Sequence, residues 1–192
     1  KNWPAFRARS KSPVNSAIFK VVRLIVLALA YFIAGRLGLL LAHVNASVAP
    51  IWPATGIALA ALLVWGIDLW PAVFIGAFLV NVSVAHPDVS LLLRIIQAAA
   101  IAGGNTLEAR AGAWLVKRFA NGYRAFLRVN DVFRYIFLAG LLSTPLSATV
   151  GTFTLMVCGL LEKRLFGEAW LTWWMGDMVG ALLVAPLIVI WT

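Results

Sequence analysis

Two carboxylates lie inside long apolar runs of this sequence, Glu108 in the fourth run and Asp177 in the sixth. An ionisable side chain within a membrane is costly unless it is paired, so each carboxylate is a candidate functional group. Arg36 and Arg110 also fall within apolar runs, and either is a possible counter-ion. The sequence alone does not assign the pairs.

Polar residues recur on one face of the fourth run. Gln97, Ile101, Asn105, Glu108 and Gly112 follow one another at intervals of three or four, which places them on one side of a helix. Three interpretations stay open for this polar stripe. It could hold helices together through hydrogen bonds, form a ligand or ion site, or act as a proton relay.

Aromatic residues precede Asp177 on one face of the sixth run. They are Trp170, Trp173 and Trp174. Tryptophans form belts at membrane interfaces, and Asp177 could then be a structural partner for another helix. Alternatively, a carboxylate lined by aromatic rings could hold a cation or a hydrogen-bonding ligand. A Gly-xxx-Gly pair in the same run predicts close helix contact.

The second run opens with the proline-containing stretch of residues 50–56. A helix that starts there leaves free N–H groups and the positive end of its dipole, which suit an anion. The simpler interpretation is that two prolines make a rigid start to the helix.

Other residues give little sign of catalysis or of a bound metal. His43 and His86 are predicted near helix ends without a cluster of cysteines or carboxylates, so we interpret them as loop residues. Cys158 has no second cysteine to pair with. No nucleophile elbow, phosphate-binding loop, metalloprotease motif or dinucleotide fingerprint occurs. We therefore expect no enzyme activity and no cofactor, with lipid or pigment contact left open.

Composition indicates which elements carry these residues. Of 192 residues, 62% are hydrophobic and only 12% are charged, with a mean hydropathy of +0.93. Soluble domains have about 45–50% apolar and about 25% charged residues. We therefore predict an all-α, polytopic transmembrane helix bundle. Its six segments are predicted at residues 21–44, 53–67, 71–84, 91–119, 131–161 and 169–192.

Two of these segments are short, and one is long. The second and third would each rise roughly 22 Å, so they are either two short spans or a re-entrant hairpin. We favour two spans, because Trp52 and Trp70 would then mark opposite interfaces. In the long fifth segment Pro145 should produce a kink, with Ser143 and Thr144 bonding to the freed carbonyls.

The charge distribution predicts the orientation. The net charge is +9, and eleven basic residues fall before or in the first segment and around the fourth-to-fifth connection, against two on the other side. Basic loops stay in the cytoplasm, so both termini are predicted to be cytoplasmic, next to anionic lipids and not nucleic acid. We divide the chain into a basic cytoplasmic or interfacial segment, 1–20, and an integral membrane domain, 21–192, which could be truncated at its C-terminus.

Three motifs resemble those of the first class of bacterial membrane-associated sensor domains. They are IWPATGIALA at 51–60, GNTLE at 104–108 followed by GAWL at 112–115, and WLTWWMGD at 170–177. That family supplies the integral membrane sensory domain of histidine kinases, diguanylate cyclases and phosphodiesterases. The resemblance implies a signal-input role in the bacterial cytoplasmic (inner) membrane, without naming a stimulus.

The resemblance also implies that six residues form one site or one packing core. These are Trp52, Thr55, Asn105, Glu108, Trp174 and Asp177. We expect a ligand or partner to be detected in the bundle and relayed to a cytoplasmic output domain. The alternative is a structural or accessory subunit of a larger membrane complex that has kept a sensor-like fold. A small transporter would show inverted repeats, for which we find no convincing sign.

Overall fold

The structure, a computed structural model, describes residues 13–40, 49, 51–84 and 89–192, with side chains from Ala17 onward. The regular structure in these ranges is helical, and they contain no strand. The prediction of an all-α bundle is therefore confirmed.

Six main helices follow one another along the described chain, with a short 3₁₀ helix at Gly122–Leu127 between the fourth and fifth. The fourth has the predicted bounds, whereas the first begins at Pro13, inside the segment that we had separated as basic. The helices are α1 (Pro13–Leu39), α2 (Pro53–Val64), α3 (Trp70–Val82), α4 (Leu91–Phe119), α5 (Val129–Val157) and α6 (Lys163–Ile190).

Polar contacts define the two ends of the bundle. At the end that we call proximal, Lys20 Nζ lies 2.7 Å from Asp68 Oδ2, and both side chains are exposed. At the other, distal end, Arg36 Nη1 donates to Ser83 Oγ at 3.1 Å. Thus α1 and α3 run parallel, from the proximal to the distal end.

The remaining helices alternate in direction. Arg94, near the start of α4, donates to the Val82 carbonyl at 2.9 Å, and Lys117, near its end, donates to the Leu62 carbonyl at 2.7 Å. Helix α4 therefore runs from the distal to the proximal end. Helix α5 runs from the proximal to the distal end, and α6 runs from the distal to the proximal end. Near the end of α6, Ile188 lines a groove with residues of α1 and α2.

Three helices are long and apolar enough to cross a membrane by length and composition, namely α1 from Ala17, α5 and α6. Helices α2 and α3 are shorter, with 12 and 13 residues. Large apolar side chains remain exposed along the outside of the bundle, as suits a surface that faces hydrocarbon. Six complete crossings remain a prediction.

Helix α2 begins inside the bundle. Trp52 is only 8% exposed, and its N–H donates to the Gly176 carbonyl in α6 at 3.1 Å. The expectation that Trp52 marks an interface is therefore wrong, because tertiary contacts place this residue halfway along α6. Trp70, at the proximal start of α3, is partly exposed.

Glycines make this start of α2 possible. A Cβ added at Gly56 would collide with the Gly180 carbonyl, and one added at Gly180 would collide with the Trp52 carbonyl. The two backbones are therefore in direct contact at this point. Gly180 and Gly176, whose carbonyl accepts the Trp52 N–H, form the predicted Gly-xxx-Gly pair.

The two long helices α5 and α6 each contain a π-helical stretch, in which the turns are wider than in an α-helix. The stretch in α5 covers Ile136–Leu142, and the stretch in α6 covers Gly180–Val184. Each includes the residue four positions before a proline, Pro145 or Pro186, whose ring would otherwise clash with that carbonyl. The sequence predicted a kink at Pro145, and the structure has a π-helical stretch before that residue; the stretch before Pro186 was not anticipated.

Side chains bond to the carbonyls around the first of these stretches. Ser143 Oγ donates to the Ala139 carbonyl at 2.9 Å, and Thr144 Oγ1 donates to the Gly140 carbonyl. This is the compensation that the sequence predicted for these two residues.

Candidate functional site

A buried polar cluster lies where α2, α4, α5 and α6 meet. Four of the six predicted residues belong to it, namely Thr55, Asn105, Glu108 and Asp177. Glu108 is 2% exposed and Asp177 is fully buried. The polar stripe of α4 therefore faces the bundle interior, where it meets the carboxylate of α6.

Hydrogen bonds join the four helices across this cluster. Thr55 Oγ1 donates to Asp177 Oδ1 at 2.7 Å. Ser147 Oγ donates to Asn105 Oδ1 at 2.6 Å and accepts from Trp173 Nε1 at 3.1 Å. The Glu108 carboxyl lies close to the Asp177 carboxyl and to Ser147, without a hydrogen bond to either.

Several polar atoms of the cluster remain unpartnered. Both carboxyl oxygens of Glu108, Oδ2 of Asp177 and Nδ2 of Asn105 are buried without a hydrogen-bond partner in the described part of the chain. Buried polar groups are bonded in the great majority of native structures. The cluster therefore has spare capacity to bond to water or to a small ligand.

The first turn of α2 points at Asp177. Thr55 is the third residue of this helix, and the first turn of a helix carries a partial positive charge and free N–H groups. The group next to this helix start is therefore a carboxyl of the protein itself, bonded to the Thr55 hydroxyl. The proline-rich stretch serves to place that helix end inside the bundle.

The two predicted tryptophans differ in their relation to the cluster. Trp52 Nε1 donates to Tyr31 Oη at 3.3 Å, and the indole lines a cavity of about 10 Å³ with Asn81, Asn105 and Trp173. Trp174 instead packs against Trp170, with ring centroids 5.6 Å apart.

Sequence reasoning missed three contributors to the cluster. Ser147 and Trp173 bond directly within it, and Tyr31 reaches it from α1. Ser147 stands in the segment between the second and third motifs, and Trp173 shares the predicted helical face with Asp177. Gly151 lies against the Trp173 ring, and only a residue without a side chain leaves room for that ring. A glycine at this position is therefore a sequence feature that accompanies the inward position of Trp173.

The two suggested counter-ions lie elsewhere. Arg36 is exposed and bonds to Ser83, and Arg110 is exposed with its guanidinium 5.4 Å from the centre of the Trp70 ring. Within the described ranges, no Lys or Arg forms an ion pair with Glu108 or Asp177. Neither arginine is therefore the counter-ion that the sequence left possible, because both side chains are exposed and bond or pack elsewhere.

The cluster differs from a metal centre. No group of three His, Cys, Asp or Glu side chains in the described ranges could hold a metal ion. His43 and His86 lie outside those ranges. Cys158 is a free thiol directly after the distal end of α5.

A comparison with protein families gives one match. The MASE1 family model matches residues 22–192, which include every described residue of the cluster. No curated protein and no solved structure matches this chain.

Proposed function

The chain belongs to the MASE1 family of membrane-associated sensor domains, which are found in histidine kinases and diguanylate cyclases, and we propose that it reads its stimulus at Glu108 and Asp177. The supporting observation is that two neighbouring, buried carboxyls have no hydrogen-bond partner, within the described ranges, for three of their four oxygens. A purely structural contact between helices would leave fewer of these oxygens without a donor.

A change at this site reaches four helices at once. Thr55 belongs to α2, Glu108 to α4, Ser147 to α5 and Asp177 to α6. A stimulus that binds more tightly to one arrangement of these helices shifts the population toward that arrangement. Two packings that differ by a few kcal/mol are sufficient for a switch.

The relay in this proposal runs along α6. Asp177 lies three residues before the π-helical stretch Gly180–Val184. That stretch faces its counterpart in α5, where Tyr135 Oη donates to the Ala181 carbonyl and Gly140 lies against Leu182. Wide helical turns are common at functional sites, and here they would let α6 shift against α5. The shift would reach the proximal end, to which an output domain would connect.

The proximal end is cytoplasmic in this proposal. Lys20 and Lys117 lie there, next to the basic connection that follows α4, and basic residues favour the cytoplasmic side. The proposed setting is a bacterial inner membrane that the chain crosses six times.

The only cysteine provides a test of this orientation. A membrane-impermeant maleimide should label Cys158 from outside intact cells, because this residue follows α5 at the distal end. Labelling should be slow near neutral pH, since burial raises the pKa of the Cys158 thiol and less thiolate is present. In a Cys158→Ser background, Asp68→Cys should react only in inverted membrane vesicles. The reverse pattern would contradict the orientation.

Signal output tests the function itself. The chain is joined after Thr192 to a diguanylate cyclase catalytic domain, and cyclic di-GMP is measured at equal membrane abundance. Glu108→Gln and Asp177→Asn should each change output at least about fivefold, the lower range of coupling between sites. Either substitution replaces a carboxyl by an amide of nearly the same size.

A matched substitution controls for nonspecific effects. Glu168→Gln also removes one carboxylate from the distal half of the bundle, but Glu168 is exposed and lies outside the cluster. Its output should equal that of the unmodified chain. Unchanged output from both cluster variants, with normal insertion, would overturn the proposed function.

A further inference from the structure

The Glu108 and Asp177 carboxyls cannot form a hydrogen bond with each other when both are ionised. Both are buried close together in one cluster, yet an ionised carboxylate can only accept hydrogen bonds. Among the residues that the structure describes, Thr55 supplies the single donor bonded to either group, at Asp177 Oδ1. Two adjacent negative charges without water are strongly unfavourable, and such pairs elsewhere hold one proton in common.

No described cation offsets the two charges. Tyr31 of α1 faces the pair with a neutral phenol, and helices α2 and α3 contain no ionisable residue. Tyr135 of α5 bonds to the Ala181 carbonyl, one turn beyond Asp177. The remaining charged groups of the packed helices lie at the bundle ends or outside: Lys20, Arg23 and Arg36 of α1, Arg94, Arg110, Lys117 and Arg118 of α4, Asp131 and Arg134 of α5, and Lys163, Arg164 and Glu168 of α6.

A small cavity lies beside the cluster. The cavity beside Asn105 and Trp173 has a volume of about 10 Å³, which is enough for about one water molecule. It is lined by Ala49, Trp52, Asn81, Asn105 and Trp173, and not by Glu108 or Asp177. Asn105 Nδ2, an unpartnered donor 97% buried, is available to bond to that water.

We propose that Glu108 and Asp177 bind a single proton and that this proton is the ligand of the site. The proton comes from water and returns to water, and its uptake changes the charge of the pair from −2 to −1. Held between a Glu108 oxygen and Asp177 Oδ2, it supplies the donor that both atoms lack. As an account of the stimulus, this inference rests on the proposed sensory function.

Infrared spectroscopy of the purified full chain in lipid nanodiscs tests the proposal. A protonated carboxyl has a carbonyl stretch separate from that of a carboxylate, and exchange into heavy water shifts it. At neutral pH we expect a band equivalent to one protonated carboxyl per chain. The band should disappear in the Glu108→Gln, Asp177→Asn double variant and persist in the Glu162→Gln, Glu168→Gln double variant, whose substituted residues are exposed.

Three results would overturn the proposal. The first is that the unmodified chain shows no such band, a result that does not depend on the folding of any variant. The second is that the band persists in the folded Glu108→Gln, Asp177→Asn double variant. The third is that added Na⁺ or K⁺ removes the band at constant pH. The last result would identify a metal cation as the ligand. The infrared spectrum does not depend on signal output. A chain that holds the proton but does not signal can therefore be distinguished from one that signals but does not hold the proton.

Discussion

Replacing Gly180 by alanine should be among the most destabilising single-methyl changes in this chain. The added Cβ would collide with the Trp52 carbonyl, and α2 could no longer begin against α6. Overpacking in a close-packed interior costs about 1–3 kcal/mol and occasionally more, and a rigid backbone atom leaves little room for adjustment. For a chain of this size about 3 kcal/mol corresponds to roughly 6–12 °C in the thermal midpoint, measured in detergent.

Gly103 provides the matched control, because it also lies in a helix but an added Cβ there meets nothing within 4 Å. Gly103→Ala should leave the midpoint unchanged or raise it slightly, since alanine favours helix by up to about 1 kcal/mol. Equal midpoints for the Gly180 and Gly103 variants would contradict the direct contact of α2 with α6.

Replacing Thr55 by valine should also have a large effect. Valine keeps the shape of the side chain but removes the hydroxyl that donates to Asp177 Oδ1 at 2.7 Å. Asp177 Oδ1 would then lose the donor that Thr55 gives it. A hydrogen bond to a charged group contributes about 1.5–3 kcal/mol, which corresponds to a decrease of roughly 3–12 °C in the thermal midpoint.

The same substitution at Thr152 separates this effect from a general cost of losing a hydroxyl. Thr152 is fully buried, but its Oγ1 donates to the Ala148 carbonyl of its own helix at 2.6 Å. Thr152→Val should therefore cost less than about 1 kcal/mol, and Thr55→Ser should recover most of the stability. Equal losses from the two valine variants would mean that Thr55 does not stabilise Asp177.

Features that depend on local sequence could be predicted. The bounds of α4 follow from a serine cap, an apolar run and basic residues in the last turn, and Ser90 does accept from the Leu93 N–H. The inward face of the polar stripe follows from helical periodicity alone. The bonds of Ser143 and Thr144 follow from the neighbouring proline.

Features that depend on packing between distant segments could not be predicted from the sequence. The depth at which α2 begins is set by contact between Gly56 and Gly180, 124 positions apart in the sequence. Each residue turns a helix by about 100°, so Trp173 and Trp174 point in different directions, and the sequence could not decide which one faces Ser147. For the same reason Arg110 points outward although it is two residues from Glu108.

The central claim is that Glu108 and Asp177 act as one input site. The most direct test is the output of the cyclase fusion carrying Glu108→Gln and Asp177→Asn together, compared with each substitution alone. Residues that act as a unit are non-additive, so the double variant should change output no more than the stronger single variant. A double variant whose change equals the product of the two single changes would show that the carboxyls act independently, and would contradict the account.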